Sequence, residues 1–198
     1  MKTYHYIFIF LVALVGISFA QEITLEQFNN NRNVLNRQAM LTLGGWAVAN
    51  IIGNSALYLN TADGGHRKYF YQMNAAWNVV NLAIAGFGYY GSMYPDTNLT
   101  LFESLLEQSN LENLLLFNAG LDIGYIMSGF FLIEKSKTSG KHQARWKGYG
   151  QSLILQGGFL FVFDAVVFYL QNRNHRLAAD LLAGIHINPH GLGLTFHF

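Results

Sequence analysis

Asn74, Asn78, Asn81, Ala85, Gly88 and Ser92 follow one another at spacings of 4, 3, 4, 3 and 4. Between them stand Val79, Val80, Leu82, Ile84, Phe87, Tyr89 and Tyr90. At about 3.6 residues per turn, this puts polar and small side chains on one stripe and bulky apolar ones around the rest. A helix that lies on a water-exposed surface has the reverse pattern. An apolar outside with a polar stripe is stable where lipid surrounds the helix and neighbouring helices offer hydrogen-bond partners. The stripe therefore predicts an all-α membrane bundle.

The rest of the chain supports four such helices. Apolar segments at about 39–59, 70–93, 111–133 and 148–170 each approach the roughly 20 residues needed to cross a bilayer. None contains Lys, Arg, His or Pro. Charged residues make up only 12% of the chain and apolar ones 52%, a balance of the membrane class. Tyr58, Tyr69, Tyr71, Trp146 and Tyr149 gather at one set of ends, and Tyr89, Tyr90, Tyr94 and Tyr169 at the other, as interfacial aromatic belts do.

Residues 1–20 have the pattern of a secretory signal peptide: Lys2, an apolar core from Ile7 to Ile17, and the small-x-small Ser18-Phe19-Ala20. An uncleaved fifth helix is the alternative. Cleavage puts the polar segment 21–38 outside the cell. The loops at 61–69 and 134–147 carry Arg67, Lys68, Lys135, Lys137, Lys141, Arg145 and Lys147, against Asp63 and Glu134. The segment between the second and third spans carries Asp96, Glu103, Glu107 and Glu112 and no Lys or Arg. Both arguments make the two basic loops cytoplasmic and both termini external. The expected location is the inner (cytoplasmic) membrane of a bacterial cell, and a homo-oligomer is compatible with it.

Outside the spans, Thr24 to Gln27 and Thr100 to Glu103 fit capping boxes. The first opens a short surface helix or an irregular segment. The second opens a short helix lying on the membrane or on the bundle mouth. The tail at 171–198 starts polar, holds a helical turn or two near Leu177, and ends in Ile185-His186-Ile187-Asn188, a turn at Pro189-His190-Gly191, and an alternating run to Phe198. That reads as a short β-hairpin.

Assigned depth at about 1.5 Å per residue, the polar residues of the spans form one column. Asn50, Asn81 and Asp122 fall near mid-bilayer, Asn118 and Asp164 about a turn outward, and Asn54, Asn78 and Gln156 about a turn inward. Asn50, Asn54, Asn74, Asn78, Asn81 and Gln156 read as a structural polar core. Asp122 and Asp164 are the only acids well inside the spans, with no basic residue within any span to neutralise them. Buried carboxylates usually mark ion, proton or substrate paths, so Asp122, Asp164, Asn118 and Tyr125 are the candidates for a small polar or cationic solute. Gly150, Gly157, Asp164 and Gln171 recur every seven residues. A sparse internal repeat relates Arg67, Tyr71, Asn74 and Asn78 to Arg145, Tyr149, Ser152 and Gln156, the mark of two parallel helical hairpins.

Several chemistries drop out. There is no cysteine, which removes disulfides, thiolate metal sites and cysteine nucleophiles. All seven histidines lie outside the spans, which argues against a bis-histidine haem. His186 and His190 are weak candidates for a metal in the tail, and neither a metal nor any other cofactor is expected. No zinc-protease, nucleophile-elbow or phosphate-loop motif occurs, so no catalytic residue is assigned, and nothing favours nucleic acid. The expectation is a non-enzymatic protein of the lipid bilayer that binds or conducts a solute through its polar core. The alternative is a structural or assembly protein whose amides only specify helix packing.

Overall fold

The structure is a computed structural model that describes residues 23–62, 64–96, 98–183, 185–188 and 191–194, with side chains as far as Ala178. The expected signal peptide, His190, the 189–190 turn and residues 195–198 lie outside the described residues, as does the side chain of His186. Four helices make up nearly all of the rest: α1 (Leu25–Asn60), α2 (His66–Met93), α3 (Leu101–Ser136) and α4 (Gln143–Ala183). Beyond α4, β1 (Ile185–Asn188) and β2 (Gly191–Leu194) pair antiparallel.

The helix starts follow local chemistry. At α1, Thr24 Oγ1 accepts from the Gln27 amide at 3.1 Å while Gln27 Oε1 accepts from the Thr24 amide at 2.9 Å. Thr100 and Glu103 form the same reciprocal cap at α3. The Thr100 amide and hydroxyl, both donating to Glu103 Oε2 at 2.8 Å, hold the exposed Glu103 carboxylate below its ordinary range, the amide contributing most. The stops are equally local. Gly64 and Gly65 follow α1, Pro95 bars helical geometry just past α2, and Gly140 takes a left-handed φ of 45° between α3 and α4.

Three helices are longer than the spans read from the sequence. The stretches 25–38, 101–110 and 171–183, expected as separate short or irregular elements, continue α1, α3 and α4 without a break. Their polar residues set them apart from the apolar spans. In the fold those residues face one another across helix interfaces.

The helices pair as two antiparallel hairpins, α1 with α2 and α3 with α4, and α2 and α4 lie side by side to join them. Both hairpin turns lie at one end of the bundle, because a Cβ at Gly148 would collide with the His66 carbonyl and Phe70 amide at the start of α2. Backbones also meet closely between α3 and α4. A Cβ on Gly129 would lie 2.7 Å from the Gly150 carbonyl, and one on Gly150 would lie 2.6 Å from that of Gly129. One heptad further, a Cβ on Gly157 would lie 2.9 Å from the Asp122 carbonyl. Small residues at seven-residue spacing thus let the two backbones touch.

The bundle is polar inside and apolar outside. Among the described residues, buried polar side chains outnumber buried apolar ones. The buried face of α2 is Asn74, Asn78, Asn81, Ala85 and Ser92, the stripe seen in the sequence. Phe87 is 81% exposed, and Phe117, Met127 and Phe131 are well exposed along α3. Two stretches, Leu101–Ser136 and Gly140–Ala178, are long and apolar enough to cross a membrane. The asparagines of α1 and α2 lower the mean hydropathy of those two helices.

Candidate functional site

Among the described residues three polar clusters occupy the core, and one of them contains buried acids without a basic partner. The first is an amide node. Gln156 Nε2 and Ser152 Oγ of α4 both donate to Asn74 Oδ1 of α2, at 2.7 and 2.9 Å. Trp46 Nε1 of α1 donates to Gln156 Oε1 at 3.2 Å, and the Trp46 ring stacks on Phe159 at 3.8 Å. One residue, Gln156, thereby ties α4 to both α1 and α2. Asn78 and Asn81 are buried above Asn74 but bond within α2: Asn78 Nδ2 to the Asn74 carbonyl and Asn81 Nδ2 to Asn78 Oδ1. Asn50 and Asn54 are half-buried and bond back along α1, to the carbonyls of Trp46 and Asn50. The expected column shared by all four spans is therefore interrupted on α1, where Trp46 reaches across and the asparagines do not.

The second cluster is the carboxyl pair. Asp122 of α3 and Asp164 of α4 are 3% and 6% exposed, and their carboxyls come near each other across the α3–α4 contact. Read singly from the sequence, each lacked a partner. The heptad that packs α3 on α4 makes them each other's partner. Two neighbouring carboxyls in a low-dielectric interior favour sharing one proton, because two like charges there repel. Asp122 Oδ2 has no hydrogen-bond partner among the described residues. Asn118, one turn earlier on α3, is half-buried, and Tyr125 packs edge-on against Trp77 of α2 at 4.8 Å. Tyr125 thus makes a ring contact from α3 to α2 one turn from Asp122.

The third cluster lies at the other end from the turns, inside the helical extensions. The Arg32 guanidinium is buried, donates to the Ser104 carbonyl at 2.9 Å and pairs with Glu107. Burial lowers the Arg32 pKa, and the charge of Glu107 and their hydrogen bond oppose that. Gln108 Nε2 donates to Glu112 at 3.0 Å and to the Gln171 carbonyl at 2.9 Å. Gln171 Nε2 reaches the Arg32 carbonyl at 3.2 Å, and Asn174 Nδ2 the Phe28 carbonyl at 3.1 Å. His175 Nδ1 lies 3.0 Å from Glu112 Oε1. The sequence reading assigned none of these residues to a site. A signal was present: Gln108, Leu115, Asp122, Gly129 and Ser136 recur every seven residues, in register with Gly150, Gly157, Asp164 and Gln171. A helix boundary drawn at 111 cut that series.

Among the described residues no group of three or more potential ligands is placed to hold a metal ion. Neither a curated protein nor a solved structure matches the chain. Residues 42–165 match the Family of unknown function (DUF6992), a stretch that takes in the amide node and both aspartates and ends before Gln171. That match spans more than half of the sequence, and the chain belongs to this family.

Proposed function

We propose that the chain is a four-span protein of the bacterial inner membrane whose buried pair, Asp122 and Asp164, binds a small cation in exchange for a proton. The carrying observation is the pair itself: two buried carboxyls near each other with no basic partner, and Asp122 Oδ2 unpartnered among the described residues. When they share a proton, the site holds one negative charge. If a monovalent cation enters and that proton leaves to water, the site still holds one negative charge. The exchange changes no net charge in a low-dielectric interior, where added charge is costly. Asn118 brings a further neutral oxygen on the same helix.

The membrane part of the reading has its own support. The helices run 36, 28, 36 and 41 residues, and at about 1.5 Å per residue each exceeds a hydrocarbon core of about 30 Å. Their exposed faces are apolar over areas that soluble proteins rarely present. The Lys and Arg of 134–147 collect at the turn end, which makes that end cytoplasmic. In this reading a signal peptide leads the chain, and the extensions and the C-terminal hairpin stand outside the cell.

The test uses protein purified in detergent and titrated with sodium or potassium chloride, following heat release and melting temperature. Wild type is expected to bind one cation with an apparent affinity that falls about tenfold per pH unit lowered, since each cation displaces a proton. Asp122→Asn and Asp164→Asn should still fold and should weaken binding at least tenfold. Wild-type binding in both variants would overturn the proposal.

A second reading has a specific observation behind it. The bonds of Asn50, Asn54 and Asn78 end on their own helices, and the node at Asn74 joins three. That is what a network serving only helix register would look like.

A further inference from the structure

We propose that the groove between the starting halves of α2 and α4 seats the headgroup of one anionic phospholipid. The inference rests on the membrane-spanning reading but not on the carboxyl pair. The groove has a volume of about 410 Å³ and is lined by Arg67, Phe70 and Tyr71 of α2 and by Gln151 and Leu155 of α4. It exists because α2 and α4 run parallel from the same end, held together there by the close approach of Gly148 to His66 and Phe70. The lining is graded along the helices. Arg67 stands nearest the turn end, Tyr71 and Gln151 offer a hydroxyl and an amide about a turn deeper, and Leu155 lies a turn beyond them. That order matches a phospholipid entering from its own leaflet: phosphate, then ester oxygens, then acyl chain.

Charge picks the class of lipid. Most neighbouring cations are already engaged. Lys68 sits 5.1 Å over the Tyr58 ring, Lys135 and Arg145 sit 4.8 and 5.3 Å over Trp146, and Lys137 pairs with Glu134 at 2.6 Å. Arg67 is exposed at the groove mouth and makes no ion pair among the described residues. A guanidinium binds a phosphate diester through two parallel N–H donors. A zwitterionic lipid would bring its own cation against Arg67, whereas an anionic one leaves that charge unopposed. Inorganic phosphate has no chain to cover Phe70 and Leu155.

Native mass spectrometry of the full chain in a neutral detergent tests this, with phosphatidylglycerol, phosphatidylcholine and inorganic phosphate as probes. Wild type is expected to retain one phosphatidylglycerol per chain and to bind phosphatidylcholine at least fivefold more weakly. Arg67→Ala should weaken phosphatidylglycerol about fivefold, the loss expected for one basic residue at a lipid surface. Arg67→Lys should keep most of the binding, and Lys141→Ala, in the turn, all of it. Melting temperatures near wild type establish that each variant is folded. Equal binding of the two lipids, undiminished binding by Arg67→Ala, or displacement of the lipid by equimolar phosphate would each overturn the groove. A chain that stays monodisperse without detergent would instead overturn the membrane reading.

Discussion

Asn74 and Asn50 are the same residue type on adjacent helices, yet their surroundings give them unequal weight. Asn74 Oδ1 accepts from two side chains of α4, one of which also receives the Trp46 indole of α1. Asn50 Nδ2 donates to a carbonyl one turn back on its own helix. Asn74→Ala strands the Ser152 hydroxyl and Gln156 amide in the core and should cost about 1–2 kcal/mol. Asn50→Ala leaves every helix contact in place and should cost less than about 0.5 kcal/mol. Thermal unfolding in detergent measures both, and equal losses would mean the node is not the joint. The stripe Asn74–Ser92 was legible in the sequence because periodicity reveals which face of a helix is unusual. Which asparagine bonds across helices was not legible, since that depends on what stands opposite. The two aspartates illustrate the same limit: lacking basic residues nearby in sequence, they looked unpaired until the packing of α3 on α4 paired them.

At the level of the helices, the seven-residue series on α3 and α4 sets both spacing and register. Gly129 and Gly150 let the backbones touch, and the same register brings Asp122 to Asp164 and Gln108 to Gln171. Hydropathy does not locate the ends of these helices. Ser104, Gln108, Gln171 and Asn174 are polar yet fully or almost fully buried, so an apolar window stops where the helix does not. The capping boxes at Thr24 and Thr100 marked the true starts of α1 and α3. Gly150→Leu must push α3 away from α4 and should destabilise by about 1–3 kcal/mol or more. Because register carries the carboxyl pair, the same change should also weaken cation binding. Gly120→Leu is the matched control, since nothing lies within 4 Å of a Cβ there, and it should be near neutral. A neutral Gly150→Leu, read by unfolding in detergent, would contradict the close α3–α4 contact.

For the molecule as a whole, the repeat that looked sparse in sequence has a geometric counterpart. Asn74 and Ser152, matched at one constant offset, are bonded to each other, and Tyr71 and Tyr149 begin the same parallel pair of helices. Two hairpins facing one another through their second helices fix the relative positions of all six helix ends joined by turns or connections, so one end's location decides the rest. If the four helices span a bilayer, as proposed, both turns lie on one side of it and the α2–α3 connection on the other. The chain has no cysteine, so single cysteines can be placed without a background to remove. Lys141→Cys in the α3–α4 turn should react with a membrane-impermeant maleimide only after cells are opened. Asn98→Cys, in the α2–α3 connection, should react in intact cells. Both positions are distant from the carboxyl pair in sequence and lie in connections, so labelling should leave the core undisturbed. Labelling of both from outside would contradict four spans. The reverse pattern would keep four spans and invert them, placing the basic turns outside against the charge asymmetry from which the orientation was argued.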